Sequence, residues 1–307
     1  MRPSSPPTAR LARHDAIAAA LARLSDDALA AQIAAAAPGH TGVGGRSVRL
    51  EIEGTALFAK MIPLSDRERR PENVRSTANL FDLPLYCQYG LGGCPGFGAW
   101  RELEGALAAT RWVRSGACAS FPLLHHWRVL PTAAPAPPTA SQLAAIEHDV
   151  AFWTAGALET APVLRARLTG AHEASAHLVL VTEHFAQDLL TWLPVQLRDG
   201  PAAADTALAL VDRDLASIFA CLAAHGVVHF DPHFENLMTD GERLYLADFG
   251  LVLAADFALD PAAEAFRARH APAYDLGRAA VGYMHCVTSA LTEGGPWKDL
   301  RGIRWSG

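Results

Sequence analysis

The chain has no continuous apolar run of about 18 or more residues, so a membrane-spanning helix is not expected. Cysteine is scarce: the five cysteines are scattered and never form a CxxC pair, which argues against a zinc site or a disulfide framework and suits a reducing cytoplasm. Basic residues are not in excess, because the net charge is −6, so nonspecific nucleic-acid binding is not expected. The first residues contain no apolar core, so a secretory signal is not expected either.

The composition is that of a globular protein. Hydrophobic residues make up 50% of the chain and charged residues 19%, a balance that supports a buried core. With 307 residues, the chain can form one large domain or two small ones. Each cysteine is best interpreted as a small buried hydrophobic residue.

The most informative stretch is residues 224–251, where Asp231, Asn236 and Asp248 stand out against an apolar frame. A polar turn at 239–242 separates two short apolar runs, and its Asp-Gly pair predicts a hairpin because glycine supplies the positive φ that such a turn needs. The hairpin brings Asn236 and Asp248 together, and an amide with a carboxylate makes a hard-oxygen site suited to Mg²⁺. Asp231 is expected across the same opening, where it can orient a hydroxyl. This combination suits phosphoryl transfer.

The same residues carry a family resemblance. The motif HFDPHFEN, from His229 to Asn236, resembles the protein-kinase catalytic loop H-R-D-x-x-x-x-N, and the Asp-Phe-Gly that begins at Asp248 matches D-F-G. His233 stands where protein kinases commonly carry lysine, and in this the motif is more similar to the aminoglycoside-phosphotransferase branch of the superfamily.

The resemblance implies an α+β, two-lobed protein-kinase-like fold with an antiparallel-sheet N-lobe and a mainly helical, shortened C-lobe. It divides the chain into an N-terminal helical extension (1–38), an N-lobe (39–185) and a C-lobe (186–307). The N-lobe carries two insertions, at 63–98 and 131–170.

A glycine-rich segment precedes two predicted strands. Gly42, Gly44 and Gly45 are followed by Ser47, and backbone of this kind can close over phosphates and offer N–H groups to them. Lys60, on the second strand, resembles the lysine of the kinase V-A-I-K motif. The resemblance therefore implies that these residues bind ATP, although glycines also collect in ordinary turns and a lone strand lysine is usually solvated.

Two further segments complete the nucleotide site that the resemblance implies. A helix is predicted over 99–113, and Glu102 is chosen as the partner of the strand lysine, with Glu104 as the second choice. Glu183 and Phe185 occupy the place of the kinase hinge, where backbone groups would hold adenine. The insertion between lysine and helix is expected to be an ordered loop, a type of segment that often carries binding function.

Hydrophobic periodicity and capping signals predict the remaining elements. The first two helices are expected to begin at Leu11 and, with Ser25 as N-cap, at Asp26, and to pack outside the catalytic core. The other predictions are strands at 48–52, 55–62, 121–130 and 176–181, and helices at 142–168, 188–193, 212–225 and from 273 onward.

The resemblance also implies roles for the site residues. Lys60, held by Glu102, would neutralise the phosphates of ATP; Asn236 and Asp248 would hold Mg²⁺; Asp231 would orient the acceptor hydroxyl. ATP and Mg²⁺ are thus the expected cofactors, and the expected reaction moves the γ-phosphoryl group to a hydroxyl.

The acceptor is a protein or a small molecule. Phe230 stands where many protein kinases carry an arginine that contacts a phosphorylated activation loop, so activation by loop phosphorylation is not expected. The short segment after Gly250 lacks the usual peptide-binding platform. The first expectation is an atypical bacterial protein kinase of the Ser/Thr type. A small-molecule (antibiotic or metabolite) phosphotransferase and a pseudokinase scaffold remain alternatives, because fold does not decide between them.

Overall fold

The computed structural model describes residues 7–42, 45–90, 96–132, 137–154, 158–271 and 273–291. The helices in these ranges are α1 (Pro7–Arg23), α2 (Asp26–Ala35), α3 (Asp66–Arg69), α4 (Ala99–Ser115), α5 (Ala140–Trp153), α6 (Ala161–His172), α7 (Leu189–Arg198), α8 (Pro201–Ala224), α9 (Pro261–His270) and α10 (Tyr274–Leu291). The strands are β1 (Ala37–Gly42), β2 (Gly45–Ile52), β3 (Thr55–Leu64), β4 (Leu124–Pro131), β5 (Ala176–Glu183), β6 (Gln187–Asp188), β7 (Val227–Val228), β8 (Leu237–Thr239), β9 (Leu244–Leu246) and β10 (Leu253–Ala254).

The predicted α+β class is confirmed. Five strands form an antiparallel sheet in the order β1-β2-β3-β5-β4, and two small antiparallel pairings, β7 with β10 and β6-β8-β9, lie further along the chain. The strand β1 was not predicted: it begins at Ala37 and pairs with β2, so the predicted boundary after residue 38 falls inside it. Among the described residues, no helix is long and apolar enough to cross a membrane.

The first two helices are more closely integrated with the sheet than predicted. Ser25 caps α2 as expected, its hydroxyl accepting a hydrogen bond from the Ala28 N–H at 3.1 Å. Leu21 and Leu29, both fully buried, share one apolar cluster with residues of the sheet such as Leu57. Burying these side chains stabilises the pairing by roughly 1.5–3 kcal/mol each. The helices therefore form one cover of the sheet.

The other face of the sheet packs on α4, which in turn packs on the helical part of the chain. Leu103 of α4, Ile218 of α8 and Phe249 belong to one buried cluster. A Cβ built at Gly105 would lie 2.7 Å from the Cβ of Phe249, so glycine is required where α4 meets this phenylalanine. The segment that carries Asp248 is thereby packed directly against α4.

Several boundaries differ from the prediction. The helix α8 begins at Pro201, because proline suits the first helical turn and the alanine-rich residues behind it are strong helix formers. The helix expected over 142–168 is two helices, since Pro162 starts a new one in the first turn of α6. The strand β4 begins at Leu124 and not at 121. The helix α9 was not predicted.

The chain enters and leaves the central stretch as predicted. Gly226 ends α8 in the left-handed conformation, with φ of 65°. The hairpin β8–β9 closes around Gly241, whose φ is 88°, with Thr239 opposite Leu244. The helix α10 then begins at Tyr274, as expected from the sequence.

Candidate active site

Lys60, on β3, is the centre of a buried cluster of charge. Its Nζ lies 2.6 Å from Oε1 of Glu102 and 3.0 and 2.9 Å from the two carboxylate oxygens of Asp248. Lys60 and Glu102 are nearly buried, with 13% and 6% of their side-chain surfaces exposed, whereas Asp248 keeps 40% exposed. Three residues that are far apart in the sequence thus meet at one cation, and the most accessible of them is Asp248.

The geometry separates the two glutamates of α4. Glu102 contacts Lys60, whereas Glu104 pairs with Arg75, whose NH2 lies 2.6 Å from its Oε1. Arg75 belongs to the insertion between β3 and α4. Its charge is matched by Glu104.

The charges of this cluster compensate one another. Burial acts to lower the pKa of Lys60, but Asp248 and Glu102 outweigh it and raise that pKa above its ordinary value. Burial raises the pKa of Glu102 to about 7, with Lys60 acting against it. Burial likewise opposes ionisation of Asp248, yet Lys60 prevails and lowers its pKa. At neutral pH Lys60 is therefore protonated and Asp248 ionised.

Asp275 of α10 holds the backbone of the loop that carries Asp231. The Asp275 carboxylate accepts the backbone N–H groups of His229 and Phe230, at 2.8 and 2.9 Å. Phe230 has φ of 66°, an uncommon conformation for a residue other than glycine, and these two hydrogen bonds help to hold it. Burial raises the pKa of Asp275 to about 6, although the two N–H groups act against this.

Asp231 lies in a mixed charged setting. The Asn236 amide nitrogen donates to the Asp231 carbonyl at 2.9 Å and approaches its Oδ2 at 3.4 Å. His233 Nε2 and Arg278 NH2 lie 3.6 and 3.5 Å from its carboxylate oxygens. Burial raises the pKa of Asp231, whereas His233 and Arg278 lower it. The carboxylate is thus partly desolvated and flanked by the His233 ring and the Arg278 guanidinium, a setting that suits proton transfer.

A backbone bridge joins the two groups of residues. The Ala247 N–H donates to the Asn236 carbonyl at 2.9 Å, and the Ala247 carbonyl accepts from His229 Nε2 at 3.1 Å. Burial lowers the pKa of His229 to about 4, so the ring is neutral at pH 7 and can accept the Asp231 N–H at its Nδ1. Asp248, next to Ala247, raises the pKa of Asp231 by repulsion. The two carboxylates are therefore close enough to interact electrostatically.

The two residues predicted to hold Mg²⁺ are close to each other in the fold. Asp248 is ionised, and 40% of its side-chain surface is exposed. Asn236 lies nearby, because its carbonyl accepts a hydrogen bond from the N–H of Ala247, the residue before Asp248. Mg²⁺ is commonly held by one or two protein oxygens together with substrate phosphates. Within the described residues, no group of three or more His, Cys, Asp or Glu side chains could hold a metal ion.

The glycine-rich segment forms the hairpin of β1 and β2. Gly42 pairs with Gly45, and the predicted phosphate-binding Gly44 lies outside the described residues. Gly45 has φ of 117°, and a Cβ there would collide with the Met61 carbonyl, so only glycine fits. Ser47, which is buried, lies opposite Lys60 across the β2–β3 pairing. The hairpin and Lys60 are thus neighbours.

The predicted hinge residues already have partners. Glu183 forms a two-pronged ion pair with Arg10 of α1, with Nε to Oε1 at 2.9 Å and NH2 to Oε2 at 2.6 Å. The Glu183 N–H donates to the Leu123 carbonyl at 3.1 Å. The ring of Phe185 stacks on Tyr245 with centroids 4.0 Å apart. The Glu183 side chain and N–H are therefore engaged in the protein itself.

Sequence reasoning gave no role to Arg10 or Arg278, and it placed Asp275 only at the start of the helix expected to support the loop. Arg278 and Asp275 open the predicted last helix, and the acidic residue at its start was the one available signal for Asp275. Arg10 had no local signal, because its partner is 173 residues away. A cavity of about 570 Å³ lies beside Glu104 and Phe249, and Lys60 and Asp231 do not line it.

Comparison with protein-family models gives no match for this chain, and no curated protein matches its sequence. The residues and their geometry therefore carry the functional assignment.

Proposed function

We propose that the chain is an ATP- and Mg²⁺-dependent phosphotransferase with a two-lobed protein-kinase-like fold, acting on a hydroxyl acceptor. The observation that carries the proposal is the position of Lys60 between Glu102 and Asp248, at 2.6 and 2.9 Å, with Asp231 and Asn236 joined to the same segment. The resemblance of the two loops to kinase motifs supports the same reading. The buried cysteines of the described residues, which form no disulfide, support a cytoplasmic location.

Each residue has a role in this proposal. Lys60, kept protonated by its two carboxylates, supplies positive charge for the phosphates of ATP, and Glu102 fixes its position. Asp248 and Asn236 would hold Mg²⁺, which supplies charge neutralisation when bound. Asp231 takes the proton of the acceptor hydroxyl as the new oxygen–phosphorus bond forms and the bond to the β-phosphate oxygen breaks, so that ADP leaves.

The test separates binding from transfer. Asp231→Asn is expected to lower the rate of phosphoryl transfer by about 100-fold or more, because general-base catalysis contributes on that scale. ATP affinity, measured by isothermal titration with Mg²⁺, is expected to change little. The matched control is Asp205→Asn, an exposed position on α8. Full activity of the Asp231 variant would rule out the assigned role.

Binding of ATP without any transfer or hydrolysis would favour the pseudokinase alternative over an enzyme. Filled positions at Lys60, Asp231, Asn236 and Asp248 support the enzyme. The protein kinase and the small-molecule phosphotransferase differ in the acceptor, which depends on what surrounds Asp231.

A further inference from the structure

Part of the insertion crosses to the Asp231 loop. We call residues 85–90 the strap. Its Cys87 and Gln88 are fully buried, and the Gln88 side-chain nitrogen donates a hydrogen bond to the carbonyl of Leu251, just beyond Asp248. A buried amide that bonds to this backbone fixes the strap in place.

Aromatic packing holds the strap from the other side. The ring of Tyr89 lies 5.3 Å from Phe266 and 5.8 Å from Tyr274, centroid to centroid. The hydroxyl of Tyr89 lies 3.1 Å from His270 Nε2, and the hydroxyl of Tyr274 donates to the Tyr89 carbonyl at 3.2 Å. Phe230, the neighbour of Asp231, packs on the same rings. The strap and the Asp231 loop thus share one rigid cluster.

The end of the strap lies against the proposed catalytic carboxylate. A Cβ built at Gly90 would lie 3.3 Å from Oδ1 of Asp231 and 2.7 Å from Cδ1 of Leu251. On this side the strap leaves less room than a methyl group needs. Gly90 also has φ of 64°, which favours glycine.

The backbone just beyond Asp248 is also largely engaged within the protein. Residues 251–254 have buried side chains, the carbonyl of Leu251 accepts from Gln88, and Leu253 and Ala254 pair with β7. A peptide that adds to a strand needs free backbone groups. Few backbone N–H and carbonyl groups of residues 251–254 are therefore available to pair with a peptide.

The surroundings of Asp231 are polar. Its side chain keeps 21% of its surface exposed. Three buried polar atoms on these elements lack a hydrogen-bond partner among the described residues: Gln88 Oε1, Arg278 Nε and Asp231 Oδ1, of which the last has Arg278 NH2 at 3.5 Å. Buried polar atoms without partners are unusual, and a bound polar molecule can satisfy them.

We propose that the strap forms one wall of the acceptor subsite and restricts the acceptor to a small hydroxylated molecule, excluding protein side chains. This inference rests on the proposed phosphotransferase function. The strap acts through shape: it fills the side of Asp231 that a protein backbone would approach, and leaves an opening flanked by His233 and Arg278.

The test uses the full chain with Mg²⁺ and γ-labelled ATP. One set of reactions contains proteins, including the chain itself; the other contains neutral polyols, hydroxy acids and amino alcohols. Label in small acceptors and none in protein is expected. Label in protein, or ATP hydrolysis without label in any small acceptor, would overturn the inference and leave the proposed function standing. Absence of both ATP binding and hydrolysis would instead remove the proposed function.

A matched pair of variants tests the wall itself. Gly90→Ala is expected to lower the transfer rate about 10-fold or more, because small displacements at the reacting groups are costly. Gly96→Ala is the control: it has the same φ of 64° in the same insertion, but its Cβ would meet no atom within 4 Å. Transfer by this control is expected to stay within about twofold of wild type. Equal transfer by both variants would contradict the inference, and the acceptor series on wild type decides it if Gly90→Ala fails to fold.

Discussion

Arg10 joins α1 to β5, the strand that ends at Glu183, by an ion pair. Its removal should lower the free energy of unfolding. Its guanidinium donates to both Glu183 oxygens and also to the carbonyls of Ala119 and Phe121, at 2.7 and 2.5 Å. The side chains of Arg10 and Glu183 are only 12% and 20% exposed. Arg10→Ala therefore leaves a carboxylate with the Leu123 N–H as its remaining donor and two carbonyls without this partner.

The magnitude follows from that burial. Breaking a fully buried ion pair costs about 3–5 kcal/mol, and residual exposure reduces this to about 2–4 kcal/mol here. Arg23→Ala, on the same helix, is the matched control. Its pair with Glu53 spans 3.5 Å and both side chains are more than half exposed, at 69% and 55%. Such a pair contributes at most about 1 kcal/mol.

Urea unfolding of both variants measures the difference. A double-mutant cycle with Glu183→Gln then isolates the Arg10–Glu183 interaction, for which we expect a coupling of about 1–3 kcal/mol. A loss of stability no larger than that of Arg23→Ala, or a coupling below about 0.5 kcal/mol, would show that the Arg10–Glu183 pair does not stabilise the fold as proposed.

Two further predictions concern the loop and the lysine. Asp275→Asn should destabilise the chain by about 2–3 kcal/mol in urea unfolding, because one amide oxygen cannot replace a carboxylate that accepts two backbone N–H groups; a loss equal to that of exposed Asp205→Asn would contradict this. Since the pKa of Glu102 is raised to about 7 and its protonated form cannot pair with Lys60, kcat/KM for ATP should rise as the pH increases through about 7. Glu102→Gln should lack this rise, and an unchanged profile would exclude Glu102 as its source.

Local signals predicted local structure well. Ser25 caps α2, Gly226 ends α8, and the Asp-Gly turn closes the β8–β9 hairpin. In each case the deciding residues are neighbours in sequence, so the capping or turn chemistry is visible without the fold. The start of α8 at Pro201 was missed because its alanine-rich first turns have no apolar periodicity.

Tertiary contacts were beyond the reach of the sequence. Glu102 and Glu104 differ by two positions on one helix, and only the packing of α4 decides that the first meets Lys60 and the second Arg75. The pairing of Arg10 with Glu183 spans 173 residues. The insertion was expected to be an ordered loop, but nothing in its composition indicated that Gly90 would lie beside Asp231.

The most direct test of phosphoryl transfer follows the γ-phosphate of ATP by phosphorus NMR, with the full chain, Mg²⁺ and the panel of small hydroxylated acceptors present. We predict that wild type converts ATP to ADP. Asp231→Asn should bind ATP with similar affinity but convert it at least about 100-fold more slowly. ATP that stays intact with wild type, or is consumed equally fast by the variant, would contradict the account.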